Sequence, residues 1–473
     1  MKKFLSLVLA LVMTMSLVTV SAGAKDFTDS SKITYKEAVD VMSAVKVIDG
    51  YADGSFNPSA TLTRGAAAKI ICNLILGPTT ASALVADAAP YKDVPVNHTF
   101  AGYIAYCQKE GIISGYADGT FKPANSLTGY AFMKMLLGAL GYDAANEGYT
   151  GANWSINVAK RAINVGLNDD LIGSFNGVKA VTREEACLYA FNTLKATMVE
   201  YEKNSTVTVG NITIKDTSDA KEMTCVKGSG NDGNIDLDGK VQFAEKYFSD
   251  LKLDEGHDDF GRPANTWKVK KDEVGTFANR SDLVNTYTKK VTMANVYADL
   301  GKTVVDDLKD GDSKLVVYTD GVKADIAANA IESKWAEKNN TSKVNSTGNG
   351  DLTEIYVDDD NNVTIVTVRT YVYEVVGDYN SKKEQVTLAK VDTEVGDSRY
   401  SLKDTVLDLD DYAQIKDYKD GDYVLVTGIV KDGKLDLKSV EKAEVISGEV
   451  KGYKVDDNVQ LGDKTYDYSK TFD

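Results

Sequence analysis

The chain has 473 residues, room for about three domains at roughly 100–200 residues each, and its 54 Lys+Arg stand against 70 Asp+Glu for a net charge of −16. That balance excludes a basic surface of the kind that binds nucleic acid without sequence preference. Two histidines, His98 and His257, and four scattered cysteines, Cys72, Cys107, Cys187 and Cys225, leave no His-cluster metal site, no zinc ribbon and no evident disulfide framework.

Lys2 and Lys3 precede an uncharged apolar run from Phe4 to Val20, and Ala22-Gly23-Ala24 follows as an A-x-A cleavage signal. Residues 1–24 therefore read as a secretory signal peptide. The alternative, an uncleaved anchor, would need the run to span a bilayer at the short limit of length. No second run of this kind follows, so no membrane segment is expected after cleavage.

Repeats come next, over 25–80, 88–143 and 146–200. Gly50-Tyr51-Ala52-Asp53-Gly54-Ser55-Phe56 recurs as Gly115-Tyr116-Ala117-Asp118-Gly119-Thr120-Phe121. Seven residues after Phe56, Phe121 and, in a weaker third copy, Phe175 stand Thr63, Thr128 and Thr182. Behind each threonine an apolar stripe steps i, i+3, i+4, i+7, i+8, as in Ala67, Ile70, Ile71, Leu74 and Ile75. This spacing predicts a helix with one buried face. Thr34-Tyr35-Lys36-Glu37 reads as a capping box opening the first helix of repeat 1, with matching first helices around 100–110 and 154–165. One helix–loop–helix unit cannot bury its own apolar face, so the three are expected to form one all-α bundle. Cys107 falls on a first helix, Cys72 and Cys187 on second helices, as small buried packing thiols.

The run Gly111 to Pro123, preceded by Tyr91-Lys92-Asp93-Val94 (Phe27-Thr28-Asp29 in repeat 1) and followed by Leu127-Thr128, with Leu62-Thr63-Arg64 in repeat 1, resembles the S-layer homology (SLH) repeat of clostridial and other Firmicutes S-layer proteins. The resemblance covers about residues 26–198. It implies a pseudo-threefold unit whose grooves bind secondary cell-wall polysaccharide linked to peptidoglycan, often pyruvylated, on a Gram-positive-type surface. It also implies a binding role for the arginine after the motif threonine, here Arg64 and Arg183; the alternative for each is a solvated first-turn charge or a structural bridge to a neighbouring repeat. A guanidinium fork suits a carboxylate, and a helix N-terminus adds partial positive charge. The implied sugar-contacting set is Thr63, Arg64, Thr182, Arg183, Tyr51, Asp53, Tyr116 and Asp118; the last four serve equally as turn-forming and packing residues, since Asp-Gly sets a tight turn. Gly129 stands where the second arginine should be, and Gly65 and Ala66 also depart from the family pattern.

Beyond residue 204 the spacing turns to Thr/Val/Tyr alternation, which predicts mainly antiparallel β modules, sandwich-like or barrel-like. Their expected bounds are 204–290, 291–375 and 376–473, the last open to truncation. Strands are expected at 315–318, 354–357, 363–376, 385–388 and 423–426. Asn234, Asp236, Asp238 and Glu245 match oxygen-ligand positions of a calcium-loop template around Gly239, or else form a plain acidic turn. No other cofactor is implied. The whole is thus expected to be a multidomain α+β surface protein without enzymatic activity: a wall anchor carrying β modules that form or decorate a self-assembled lattice. The alternatives are an anchored enzyme such as a glycoside hydrolase, which needs only two carboxylates in a cleft, and an anchored adhesin.

Overall fold

The computed structural model describes residues 27–201, 206–209, 212–215, 219–324, 339, 341, 347–391, 400–455, 457–469 and 471, together with the strand Ser6–Leu9. The rest of the expected leader, the boundary at 204 and the last two residues lie outside them. The architecture is multidomain α+β. One unit comprises Val20–Glu255 and Asn265–Phe277; the other comprises Met1–Thr19, Gly256–Ala264 and Ala278–Asp473.

The first unit carries helices α1 (Lys36–Ala44), α2 (Arg64–Leu76), α3 (Pro78–Ser82), α4 (Ala101–Lys109), α5 (Gly129–Ala139), α6 (Trp154–Asn164), α7 (Arg183–Lys195) and α8 (Phe243–Tyr247). The motif threonines explain where α2, α5 and α7 start. Each is an N-cap whose hydroxyl accepts the third amide of the helix: Ala66 on Thr63 at 3.2 Å, Ala131 on Thr128 at 3.4 Å and Glu185 on Thr182 at 3.2 Å. Only Thr182 has the full capping box, with its own amide donating to Glu185 Oε2 at 2.8 Å. The capping box expected at Thr34 does not form. Tyr35 caps α1 without a side-chain bond; the Thr34 amide donates to Glu184 Oε2 at 2.9 Å, and Glu37 accepts the Trp267 indole N–H at 2.6 Å. Tertiary partners have taken both groups from the local motif.

The segments before the second helices close a ring. Leu62 N donates to Val181 O (2.9 Å), Val181 N to Leu127 O (2.9 Å) and Leu127 N to Leu62 O (2.8 Å). Just outside it, each second helix donates its first two amides to the loop of another repeat: α2 to Asn125 and Pro123, α5 to Lys179 and Gly177, α7 to Ala60 and Pro58. These bonds satisfy amides that a helix start otherwise leaves open.

Of the separate module expected over 204–290, the described part up to Glu255 and Asn265–Phe277 instead belongs to the same unit as the helices, while Gly256–Ala264 and the residues from Ala278 belong to the other. Phe243 N donates to Ala196 O and Met198 N to Val241 O, both at 2.9 Å. Trp267, fully buried, meets Phe191 of α7 edge-on with centroids 5.2 Å apart. An apolar helix face was still open after three repeats, and the following chain covers it.

In the second unit a five-stranded sheet has the order Val322–Lys323, Leu315–Thr319, Val363–Val368, Leu352–Val357, Leu283–Tyr287. It is mixed, because Leu315–Thr319 runs parallel to Val363–Val368. That pairing departs from the antiparallel expectation and accompanies a helix the sequence reading missed, α9 (Met293–Asp310), whose cap Thr292 accepts from Asn295 N. Val296, Leu300, Val305 and Leu308 of α9 pack on one sheet face; Phe260, Tyr356 and Val366 fill the other. A six-stranded sheet follows in the order Ser401–Leu402, Lys434–Lys442, Tyr423–Lys431, Tyr371–Asn380, Gln385–Lys390, Val406–Asp408. The single strand expected at 363–376 is therefore two strands in two sheets, and the expected break at 375 falls inside the second of them. The break expected at 290 likewise separates Leu283–Tyr287 from its own sheet.

Candidate functional site

The six loop–helix contacts create three equivalent corners, each where one repeat's second helix starts against another repeat's loop. At the first, the Arg64 guanidinium lies over two rings of repeat 2, 4.3 Å from the Phe121 centroid and 5.1 Å from Tyr116. Its Nε donates to Phe121 O at 2.7 Å and Nη2 to Ser114 O at 3.2 Å. Arg183 repeats the arrangement on repeat 1: 4.7 Å from Tyr51 and 5.0 Å from Phe56, with Nε donating to Phe56 O and Nη2 to Asp49 O, both at 2.9 Å. Such stacking fixes the plane of a guanidinium and is worth ~0.5–2 kcal/mol. Both arginines are half-buried, and burial lowers the Arg64 pKa. Among the described residues neither lies in a salt bridge, so each positive charge is oriented by carbonyls and rings rather than by a bonded carboxylate. Tyr51 and Tyr116 are 47% and 45% exposed, enough to offer a ring edge beside each cation.

The other expected contact residues work inside the loops. Asp53 accepts Ser55 N (3.0 Å) and Oγ (2.7 Å), and Asp118 accepts Thr120 N (2.9 Å) and Oγ1 (2.6 Å). These bonds hold both carboxyls below the usual carboxylate range. Thr63 and Thr182 are engaged as caps. The expected help from helix N-termini is also reduced, since the first two amides of α2 and α7 are bonded to carbonyls.

Two further residues build the corners and went unassigned at the sequence level. Asp29 accepts Phe56 N and Asn57 N, both at 2.8 Å, and Asp93 accepts Phe121 N and Lys122 N, both at 2.7 Å. Each carboxylate thus fixes the loop whose carbonyl and aromatic rings hold an arginine. The signal was present, in the aromatic-x-Asp of Phe27-Thr28-Asp29 and Tyr91-Lys92-Asp93.

The third corner differs throughout. Gly129 replaces arginine, and the next residue, Tyr130, packs against Phe175 (5.8 Å) and Trp154 (6.4 Å). Gly177 makes room: a Cβ there would fall 2.2 Å from the Tyr130 ring. Asp170 stands where the other loops have Tyr51 and Tyr116. Beneath this loop lies a cavity of about 150 Å³, lined by residues that include Ile172, Asn176, Lys179, Glu185 and Tyr189; Lys179 and Glu185 pair at 3.3 Å.

At the acidic loop, Glu245 is buried and its carboxylate accepts the amides of Gly233 (3.0 Å), Ile235 (3.2 Å) and Gln242 (3.3 Å). Asp238 accepts from Lys240 N at 2.8 Å and Gln242 Nε2 at 3.2 Å. Asn234 Nδ2 donates to Ser249 O at 3.1 Å. Among the described residues no group of three or more His, Cys, Asp or Glu, Asp236 included, is gathered to hold a metal ion. The carboxylate at the twelfth template position caps α8 and folds the loop instead.

Helix–loop–helix repeats joined in a ring, with oriented cations at two of the three corners, define a repeat-built helical module. The S-layer homology domain model matches residues 26–68 and 90–129. Over 150 residues, 31% of this chain, a surface layer protein of Brevibacillus choshinensis is 29% identical. A cellulosome-anchoring protein of Acetivibrio thermocellus is 37% identical over 81 residues, 17% of this chain, and an uncharacterized cell wall amidase of Bacillus anthracis is 28% identical over 182 residues, 36% of this chain. These matches span 13%, 18% and 32% of the relatives' lengths, respectively. The chain is an SLH-domain surface protein of a Gram-positive-type cell wall or surface layer.

Proposed function

We propose that the three repeats, including the third that the family model does not match, act as one pseudo-threefold SLH anchor that holds the exported chain non-covalently on anionic secondary cell-wall polysaccharide. Arg64 and Arg183 each present a stacked guanidinium to a carboxylate-bearing sugar, with Tyr116 and Tyr51 flanking it. The observation that carries this reading is the pair itself: two arginines at equivalent helix starts, each held by a neighbouring loop and neither in a salt bridge among the described residues. Each half-buried guanidinium is stacked in a fixed plane and keeps donors that a ligand carboxylate can accept from. The second unit then projects from the wall and takes part in a surface lattice. The test is co-sedimentation of the full-length protein with purified wall polymer. The Arg64→Ala, Arg183→Ala double variant should remain soluble; unchanged binding by the folded variant would sink the assignment.

A further inference from the structure

Cys72 on α2 and Cys107 on α4 are 35 residues apart in sequence, and the fold places their sulfurs 3.6 Å from each other. Both are fully buried. Cys72 Sγ donates to Tyr103 O at 3.5 Å and Cys107 Sγ to Ala68 O at 3.7 Å, so each thiol sits against the partner's helix. The same site on the other two helix pairs is filled differently: Leu137 on α5 and Ala162 on α6, Phe191 on α7 and Met42 on α1, all buried. Ordinary apolar side chains satisfy those positions. Only the contact between repeats 1 and 2 has two sulfurs in register.

We propose that Cys72 and Cys107 form a disulfide in the exported protein, covalently joining repeat 1 to repeat 2 behind the Arg64 corner. A disulfide bond is about 2.05 Å long, so the sulfurs must approach by roughly 1.5 Å. The cell surface, unlike the cytosol, lets such a bond persist. The oxidant is a disulfide-bearing thiol oxidoreductase or small-molecule disulfide outside the membrane. One cysteine thiolate attacks a sulfur of the oxidant's disulfide and expels a thiolate, giving a mixed disulfide. The second cysteine, losing its proton, attacks the first cysteine's sulfur and expels the oxidant's other thiolate. The chain loses two electrons and two protons, and the oxidant leaves as a dithiol or as two thiols. The contact with Cys107, and then burial, push the Cys72 thiol up and away from the reactive thiolate, so the bond forms while the chain folds, before α2 and α4 close over it.

Full-length protein from its own cell surface is denatured in N-ethylmaleimide and its mass measured. The expected result is two additions, at Cys187 and Cys225, with the tryptic segments 70–92 and 93–109 joined. Four additions, or a bridge involving Cys187 or Cys225, overturns the proposal. A Cys187→Ala, Cys225→Ala variant should keep the link and take no addition; two additions to it would overturn the proposal as well. Reductant should lower the melting temperature of the helical unit by roughly 5–15 °C, as expected for closing a loop of this length; an unchanged melt after complete reduction of a demonstrated bridge overturns its stabilising role.

Discussion

Two of the three corners of the helical unit and the third are built on the same backbone plan and end as different surfaces. The threonine cap, the two donated helix amides and the ring contact occur at all three. What separates them is a small set of side chains: Arg64, Arg183, Tyr51 and Tyr116, with Asp29 and Asp93 behind them, against Gly129 and Asp170. The shared backbone plan and the side chains that distinguish the corners are thus carried by different groups. A repeat can lose its ligand group and keep its place in the ring, because the ring is made by backbone amides.

The largest effect should come from removing the cations. Arg64→Ala and Arg183→Ala should each weaken wall-polymer binding by ~10–100-fold, from the loss of hydrogen bonds to a charged group worth about 1.5–3 kcal/mol. The double variant should fall below detection in a binding isotherm. Arg→Lys at either site keeps the charge and loses the planar fork, so it should recover only a small part. If lysine restores full affinity, bulk charge and not geometry does the binding.

Installing an arginine at the third corner tests the comparison from the other side. A Cβ at Gly129 would lie 3.1 Å from Gly177 Cα and 3.2 Å from the Phe175 ring. Gly129→Arg should therefore cost about 1–3 kcal/mol through crowding and add no affinity, because Asp170 stands where the other loops offer Tyr51 and Tyr116 to the guanidinium. Calorimetric unfolding with the binding isotherm reads both. Tighter binding at unchanged stability would show that the third corner lacks nothing but its cation. A smaller loss, about 1 kcal/mol, is expected for Asp29→Ala, which removes the acceptor of Phe56 N and Asn57 N.

Much of this was legible because it is written locally and repeated. The threonine caps, the apolar stripes and both arginines stand at fixed intervals that do not depend on the rest of the fold. The ring contact was not, since its donors are backbone amides of Leu62, Leu127 and Val181 and no side chain marks them. The Cys72–Cys107 meeting was hidden for a related reason: proximity between helices of different repeats leaves no trace in spacing. In the second unit, every residue of Val363–Val368 is buried because α9 covers one sheet face and Phe260 the other. Without polar alternation, nothing in the run marked where one strand ended and the next began. α9 was missed although Thr292-x-x-Asn295 precedes the helically spaced Val296 and Leu300.

Acid acts with opposite signs on the loop carboxylates Asp29 and Asp93 and on Asp320. In repeats 1 and 2, the amides bonded to Asp29, that of Phe56 above all, hold its carboxyl below the ordinary range. At Asp93 burial opposes, and the amides of Phe121 and Lys122 outweigh it. A carboxyl depressed in the folded state contributes stability above its unfolded value, near 3.8, and loses it as pH falls through the folded value. The two arginine corners should therefore loosen only below about pH 4, while the third corner, which has no such carboxylate, should not respond through this route. Asp320 in the second unit behaves the other way: burial raises it to about 6, against the bonds it accepts from Arg369 N and the Tyr371 hydroxyl. Its folded form prefers the proton, so its contribution to stability is lost as pH rises from 3.8 through about 6. Domain-resolved hydrogen exchange across pH 3–7, an interval of roughly the carboxylate range, should show helical-unit loops opening at the acid end and the Asp320 region tightening on mild acidification. Asp29→Asn with Asp93→Asn should flatten the first response, and Asp320→Asn the second. A response of the same sign in the Phe56 and Phe121 loops and around Asp320 would mean that net charge, not these carboxyls, governs the acid behaviour there.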